Sequence, residues 1–174
     1  MNTPNKLTVL RMILVPVFMI IYMLDSIPYH TLFAAFVFIL ASITDWLDGY
    51  LARKNNIVTN FGKFMDPLAD KLLVTGALLC LMEKDIVAYW VVMIIIAREF
   101  IVTGLRLVAV TKGIVIAAGK MGKLKTVLQL IAISAAVLSV NRTIVDILIY
   151  ISVFLTALSG IDYLVRNRNV LLDK

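Results

Sequence analysis

The sequence predicts an all-α integral membrane protein with six transmembrane helices, forming a single membrane domain over residues 1–174. The mean hydropathy is +0.97, and 61% of the residues are hydrophobic whereas only 16% are charged. Charge-free stretches recur along the chain, at 12–24, 26–44, 72–82, 86–97, 126–141 and 147–161. Most of them are shorter than the roughly 20 residues that a spanning helix needs. Several spanning helices must therefore include charged residues.

Each predicted helix contains all or most of one charge-free stretch, in chain order. The first follows Thr3 and Pro4, because threonine is a good N-cap and proline fits the first helical position. The second and third flank a basic, asparagine-rich connection, RKNNIVTNFGK. The predicted helices span residues 5–25, 31–54, 66–83, 86–108, 120–141 and 145–166.

The basic residues predict the orientation of these helices. If the N-terminus is cytoplasmic, only Lys84 and Arg142 lie on the opposite side, and Lys71 and Arg98 lie within helices. The positive-inside rule therefore predicts a multi-pass protein with a cytoplasmic N-terminus. The net charge of +6 then faces anionic headgroups or anionic substrates rather than nucleic acid. The cytoplasmic side receives Lys6, Arg11, Arg53, Lys54, Lys63, Arg106, Lys112, Lys120, Lys123, Lys125, Arg166, Arg168 and Lys174.

Eleven charged residues inside the predicted helices lie in the cytoplasmic half. Packing alone gives no reason for six helices to place polar groups at one depth, so we expect a polar cavity that opens to the cytoplasm. These residues are Arg11, Asp45, Asp48, Asp66, Asp70, Lys71, Arg98, Glu99, Lys123, Lys125 and Asp162. We assign no chemistry to Glu99 and Asp162, which can pair with basic neighbours.

Four aspartates indicate a metal site in this cavity. Asp45 and Asp48 share one helical face with Gly49 and Ala52, and Gly62, Asp66 and Asp70 share another. An ionised aspartate at membrane depth costs about 2.5–3.5 kcal/mol, and a pair or cluster of divalent cations would offset that cost. Ligand sets made only of oxygen favour Mg²⁺ or Mn²⁺ over zinc. Metals held by carboxylates beside basic residues are the arrangement that phosphoryl transfer requires.

The same residues resemble the signature of the CDP-alcohol phosphotransferase family. The pattern is Asp45-x-x-Asp48-Gly49-x-x-Ala52-Arg53, eight residues, then Gly62-x-x-x-Asp66-x-x-x-Asp70, with no departure. The resemblance implies transfer of a substituted phosphate from a CDP-linked donor to an alcohol, with release of CMP and use of two divalent cations.

The resemblance also implies roles for individual residues. Asp45, Asp48 and Asp66 would be metal ligands, and Asp70 would be both a ligand and the catalytic base. The donor, CDP-diacylglycerol, would be bound by Thr8, Arg11, Gly49, Ala52, Arg53, Thr59 and Gly62.

Three further segments indicate the acceptor. NTPNKLTVLR at the start, AREFIVTGLR at 97–106 and GKMGKLKT at 119–126 are similar to bacterial family members that use sn-glycerol 3-phosphate in phospholipid biosynthesis. Such an enzyme works in the bacterial cell membrane, with its active site facing the cytoplasm. Its anionic acceptor needs cationic partners. We expect these to be Arg98, Arg106, Lys123 and Lys125.

Alternatives stay open at this point. Other members of the family use inositol phosphate, serine or phosphatidylglycerol as the acceptor. A divalent-cation transporter would also place aspartates in the membrane, although it would carry them near the midplane and within an internal repeat. Small residues on the fifth helix, such as Ala132 and Ala136, permit a homodimer without requiring one.

Overall fold

The computed structural model describes residues 3–54, 60–114, 116 and 119–171, with only the backbone described at positions 3–4, 45–46, 48–54, 60–64, 66–67, 120, 169 and 171. Every regular element within these residues is an α-helix, which confirms the all-α class. The helices are α1 (Thr3–Met23), α2 (His30–Lys54), α3 (Asn60–Glu83), α4 (Tyr89–Thr111), α5 (Lys120–Val137), α6 (Arg142–Arg166) and α7 (Arg168–Leu171).

Two helices are long and apolar enough to cross a membrane by the criteria of length and hydropathy. They are Asn5–Met23, the main part of α1, and Arg142–Arg166, which is α6. A shorter apolar helical stretch covers His30–Thr44 in α2. These spans support a membrane protein within the part of the chain that the structure describes, and the six-span topology stays a prediction.

Three helices end at a residue in the left-handed conformation. Asp85, Gly113 and Ser139 have φ angles of 55°, 72° and 54°. In each case the next residue donates its N–H to the carbonyl five positions back, at 2.9–3.1 Å, which closes the helix end. Because of the turn at Ser139, α5 ends at 137 rather than at the predicted 141. The turn at Asp85 includes Ile86, and α4 begins at 89 rather than at the predicted 86.

α3 and α7 differ from the prediction at their own boundaries. α3 begins at Asn60, six residues before the predicted start, and continues through Pro67. An interior proline removes one N–H donor and costs about 3 kcal/mol, so the remainder of α3 must offset this cost for the helix to continue. The short helix α7 continues beyond α6 and has no counterpart among the predicted elements.

The chain divides into two compact units. The N-terminal unit is Met1–Ile86 with Ser134–Val140, and the C-terminal unit is Val87–Ile133 with Asn141–Lys174. In the N-terminal unit α1 packs against both α2 and α3. Phe18 of α1 lies fully buried at its centre, with ring centroids 5.9 Å from Tyr22 and 5.6 Å from Phe38.

An ion-pair cluster joins two connections of the N-terminal unit. Lys84, just after α3, donates a hydrogen bond to Asp25, just after α1, and His30 Nε2 lies 3.3 Å from the same carboxylate. The hydrogen bond from Lys84 is the main cause that holds the pKa of Asp25 below its usual value. Lys84 thus stabilises the N-terminal unit through this contact, independently of its place in the predicted membrane topology.

In the C-terminal unit α4 packs against α6 and α7. One apolar core cluster of this unit contains Val102, Leu105, Ala109, Tyr163 and Val170. The Lys112 ammonium, at the end of α4, donates a 2.8 Å hydrogen bond to the Val170 carbonyl and so ties α7 to α4. This core fixes the ends of α4 and α6 that carry the cationic residues described below.

The outward faces of the helices are apolar. Large side chains such as Ile20, Phe36, Met93, Phe100 and Phe154 are each 59–66% exposed. Soluble proteins seldom expose so many large apolar side chains, whereas lipid tails are an apolar solvent for them. The distribution supports a bilayer as the solvent of these faces.

Gly76 allows α3 to pack closely against α1. A Cβ at this position would lie 3.1 Å from Val15 Cγ1 and 3.2 Å from Met19 Sδ. We expect Gly76→Leu to lower the free energy of unfolding by about 1–3 kcal/mol or more, because overpacking forces the two helices apart. Thermal unfolding of the purified protein in detergent measures this loss.

The matched control is Gly104→Leu in α4. A Cβ on Gly104 meets nothing within 4 Å, so this leucine has room. Equal midpoints for the Gly76→Leu variant and the parent would contradict close packing of α1 on α3.

Candidate active site

The backbone places the four aspartates on two helices of the N-terminal unit. Asp45 and Asp48 lie in the last three turns of α2, and Asp66 and Asp70 lie in the first three turns of α3. α2 and α3 pack against each other. Their helical spacing puts each pair of aspartates on one face of its own helix, as the sequence predicted.

Much of the predicted metal and donor site lies outside the described residues. This holds for all of Thr59 and for the side chains of Asp45, Asp48, Ala52, Arg53 and Asp66, while Gly49 and Gly62 are described only as helical backbone. Asp70 is described and is partly buried. Among the described side chains, no three of His, Cys, Asp or Glu lie close enough together to hold a metal ion. The described side chains do not include those of Asp45, Asp48 and Asp66. The predicted donor set, made only of carboxylates, fits a hard divalent cation.

Thr8 and Arg11 lie one turn apart on α1. Both side chains are fully buried, with 0% exposure. Burying an arginine on an apolar helix costs free energy, and such residues usually pair with an opposite charge or mark a functional site. The burial of Arg11 therefore agrees with the predicted contact to the donor diphosphate.

A cavity of about 330 Å³ lies within the C-terminal unit. Its lining includes three arginines from two helices, Arg98 and Arg106 of α4 and Arg166 of α6. One carboxylate, Asp162, also lines it, and so the formal charge of the lining is positive. We call this space the arginine cavity. Its volume is at the lower end of the range for small-molecule sites, which suits a compact anion.

Arg98 enters the cavity between α5 and α6. Its Nη1 lies 3.1 Å from Glu99 Oε1, and its Nη2 donates a 3.2 Å hydrogen bond to Ser159 Oγ. A Cβ on Gly160 would come within 2.9 Å of Arg98 Cγ, so glycine leaves the space that this side chain occupies. The buried Nε has no hydrogen-bond partner among the described residues. An unsatisfied buried donor of this kind is unusual and agrees with a ligand site.

The other two arginines are held by α6 itself. Arg106 Nε donates a 3.0 Å hydrogen bond to the Tyr163 hydroxyl, and its guanidinium carbon lies 5.5 Å from the centre of that ring. Arg166 Nε donates a 2.6 Å hydrogen bond to Asp162, one turn earlier. The last two turns of α6 therefore contact all three arginines.

The two predicted lysines lie elsewhere. Lys125 is buried and donates hydrogen bonds to Glu99 and, at 3.0 Å, to Gln129. Lys123 is exposed, and neither lysine is among the residues that line the arginine cavity. Glu99 and Asp162 pair with basic neighbours, as expected from the sequence.

Comparisons with known proteins agree with the family that the aspartate pattern indicated. The model of the family described as CDP-alcohol phosphatidyltransferase matches residues 1–158. The chain belongs to this family. A Bacillus subtilis (strain 168) protein named CDP-diacylglycerol–glycerol-3-phosphate 3-phosphatidyltransferase is 48% identical over 183 aligned residues, which cover 95% of each chain.

More distant relatives carry the same kind of name. The Rickettsia typhi protein, again a CDP-diacylglycerol–glycerol-3-phosphate 3-phosphatidyltransferase, is 39% identical over 93% of this chain and 94% of its own. A Mycobacterium tuberculosis (strain H37Rv) protein named probable phosphatidylglycerophosphate synthase is 38% identical over 95% of this chain and 81% of its own.

Sequence reasoning did not select every residue around the arginine cavity of this CDP-alcohol phosphatidyltransferase. Arg166 was assigned to topology alone, and Ser159 and Tyr163 received no role. The signal was present in their spacing, because Ser159, Tyr163 and Arg166 fall at i, i+4 and i+7, on one helical face.

Glu99 connects the arginine cavity to the buried lysine, since it pairs with both Arg98 and Lys125. We expect Glu99→Gln to lower the free energy of unfolding by about 3 kcal/mol, because a buried ammonium loses its anionic partner. The value is at the lower end for such pairs because Gln129 stays in contact with Lys125. Thermal or denaturant unfolding in detergent measures it.

Asp146→Asn is the control for this substitution. Asp146 pairs with Arg142 one turn away on α6, and both side chains are substantially exposed, so its loss should cost less than about 1 kcal/mol. Equal losses for the two variants would mean that the Glu99 pair contributes no more than a surface pair.

Proposed function

We propose that the chain transfers the phosphatidyl group of CDP-diacylglycerol to sn-glycerol 3-phosphate, which yields phosphatidylglycerophosphate and CMP. Family membership supports the phosphatidyl transfer, and the names of its relatives support both substrates. The arginine cavity is the observation that carries the choice of acceptor. Three guanidinium groups around a small space suit a phosphomonoester, whereas serine, for example, brings no phosphate.

The acceptor phosphate binds to the arginines of the C-terminal unit in this proposal. Arg98 contributes a buried Nε with no partner among the described residues, and Arg106 and Arg166 each use Nε within the protein. The guanidinium has five N–H donors, so each arginine keeps others for an anion. Lys123 and Lys125 stay predicted acceptor residues, with the charge of Lys125 already opposed by Glu99.

Donor and metal binding are assigned to the N-terminal unit. Asp45, Asp48, Asp66 and Asp70 would hold two divalent cations, Mg²⁺ or Mn²⁺. Thr8 and Arg11 would bind the donor together with the positions of the family motif, namely Gly49, Ala52, Arg53, Thr59 and Gly62. The cations, when bound, would neutralise the diphosphate and so ease the departure of CMP.

The reaction is a single displacement at phosphorus. Asp70 accepts the proton of the 1-hydroxyl group of glycerol 3-phosphate, and the hydroxyl oxygen forms a bond to the phosphatidyl phosphorus. The bond from that phosphorus to the bridging oxygen breaks, and this oxygen leaves with CMP. A base of this kind accelerates transfer about 10²–10⁴-fold and depends on its position more than on a high pKa.

The membrane setting is part of the proposal. Six helices would span the bacterial cell membrane, with the N-terminus and the active site facing the cytoplasm, where both substrates bring phosphates. The chain would act as one membrane domain. Ala132 and Ala136 of α5 are buried in the structure, and a homodimer stays compatible with the remaining surfaces.

A panel of acceptors tests the proposed function. Purified protein with CDP-diacylglycerol and Mg²⁺ or Mn²⁺ should release CMP with sn-glycerol 3-phosphate, and not with inositol phosphate, serine or phosphatidylglycerol. Release with one of the others, and none with glycerol 3-phosphate, would refute the acceptor. Metal-dependent cation flux in liposomes without CMP release would instead support a transporter.

The same assay tests the arginine cavity. Arg166→Gln should raise the KM for glycerol 3-phosphate about 3- to 10-fold, because it removes a charge-assisted hydrogen bond that solvent partly screens at this largely exposed side chain. Arg168→Gln, an exposed cation on α7 outside the cavity lining, is the matched control and should leave this KM unchanged. Equal values for both variants would remove Arg166 from the acceptor site.

Asp70→Asn separates catalysis from binding. We expect it to lower kcat at least about 10²-fold while donor binding persists, because asparagine cannot accept the proton. Asp45→Asn or Asp66→Asn should also weaken metal-dependent donor binding. CMP release and CDP-diacylglycerol binding measure the two effects, with Asp146→Asn as the control; unchanged turnover in Asp70→Asn would remove the base role.

A further inference from the structure

Among the contacts that the structure describes, Arg106 differs from the other two arginines of the cavity. Its Nε donates to a neutral acceptor, whereas Arg98 and Arg166 contact carboxylates. That acceptor is the Tyr163 hydroxyl, at 3.0 Å. Arg166 bonds to the Asp162 carboxylate, and Arg98 lies 3.1 Å from the Glu99 carboxylate. A carboxylate partner cancels much of the field of its arginine, whereas a phenol does not. Arg106 therefore presents its positive charge to the cavity with the least local compensation.

Tyr163 restricts Arg106 in two ways. The hydroxyl accepts from Nε, and the ring lies beneath the guanidinium, with 5.5 Å from the guanidinium carbon to the ring centre. An arginine side chain has considerable rotamer entropy, which an anion must otherwise remove on binding. Contact with both the ring and the hydroxyl fixes the guanidinium before the anion arrives.

Tyr163 is itself fixed by the core of the C-terminal unit. Only 8% of the residue is exposed, and it packs with Val102, Leu105, Ala109 and Val170. The ring therefore has little freedom to follow Arg106 if that side chain moves. The rigid partner in this pair is the tyrosine, and the long flexible side chain adapts to it.

The hydrogen bond also selects which donors face the cavity. A guanidinium can bind a phosphate through Nε and one terminal nitrogen, or through both terminal nitrogens. Because Nε of Arg106 is directed to Tyr163, the pair of terminal nitrogens stays available for the anion. Tyr163 thus sets the orientation of the guanidinium as well as its position.

We propose that Tyr163, which also lines the arginine cavity, is a positioning residue for the acceptor phosphate and acts through Arg106. This inference rests on the proposed function for its natural ligand, sn-glycerol 3-phosphate. It goes further in assigning α6 a defined part in acceptor affinity.

The first test is Tyr163→Phe, which keeps the ring and removes the hydroxyl. We expect the KM for sn-glycerol 3-phosphate to rise about three- to tenfold, as the loss of one hydrogen bond predicts. The kcat and the KM for CDP-diacylglycerol should stay within about twofold of the parent, which a general loss of structure would not allow. An unchanged KM for glycerol 3-phosphate would overturn the proposal.

Tyr150→Phe is the matched control. Tyr150 lies on the same helix, is exposed, and stacks on Trp90 at a centroid distance of 6.0 Å, away from the cavity lining. It should leave every kinetic constant unchanged. The thermal unfolding midpoint of Tyr150→Phe should match the parent, and that of Tyr163→Phe should fall by no more than about 2–4 °C, as the loss of one hydrogen bond predicts, so that a difference in KM reports on the site.

A double-mutant cycle asks whether Tyr163 acts through Arg106. In an Arg106→Gln background the guanidinium is absent, so Tyr163→Phe should then raise the KM by less than about twofold. If the full three- to tenfold increase persists in that background, Tyr163 acts by another route and the proposal is wrong.

Binding of sn-glycerol 3-phosphate without turnover separates this inference from the proposed function. The dissociation constant, obtained from ligand-induced shifts of the unfolding midpoint, should rise three- to tenfold in Tyr163→Phe and stay constant in Tyr150→Phe. If the parent protein releases no CMP and this difference in binding is seen, the proposed function fails and the positioning role stands. If the parent is active and the two variants bind alike, the positioning role fails alone.

Discussion

A charged side chain in an apolar helix bundle needs a partner, and this constraint organises much of the C-terminal unit. Lys125 is almost completely buried on α5, and Glu99 of α4 lies against it. The same carboxylate also pairs with Arg98. One acidic residue thus anchors two cations from two helices, and the hydrogen bond from Arg98 to Ser159 extends the network to α6. The helices are held together by the groups that are most costly to bury.

The network leaves an excess of positive charge at the arginine cavity. Two of the three arginines at the cavity have carboxylate partners, while Arg106 rests on a phenol. The remaining positive charge faces the cavity, where an anionic acceptor would neutralise it. The positive charge that remains at the cavity thus corresponds to the negative charge that the proposed acceptor brings. Under the proposed function, the aspartates of α2 and α3 in the N-terminal unit would in turn be matched by divalent cations.

The sequence allowed the helical class, the order of the helices and the helical placement of the aspartates to be predicted, because these follow from local apolar runs and fixed spacing. Helix ends were predicted less well. Asp85 and Ser139 adopt the left-handed conformation that usually indicates glycine, and their type gave no sign of it. Partners distant in sequence could not be identified either: Glu99 was expected to pair with basic neighbours, but no local pattern indicated that Lys125, 26 residues later, is one of them. Arg166 was attributed to topology because the positive-inside rule explains every cytoplasmic cation equally well and cannot single out one of them.

Gly160 illustrates how the same segment of α6 serves both stability and the site. Glycine within a helix costs about 0.5–1 kcal/mol relative to alanine, so a bundle selected only for stability would favour a larger residue here. A Cβ at this position would lie 2.9 Å from Arg98 Cγ, close to the root of the side chain, where rotation of the distal bonds cannot relieve the contact. Alanine would therefore force Arg98 into another rotamer and away from Ser159. The helix gives up part of its intrinsic stability at the point where an arginine must cross its surface, and the position of that arginine is the property that the site requires.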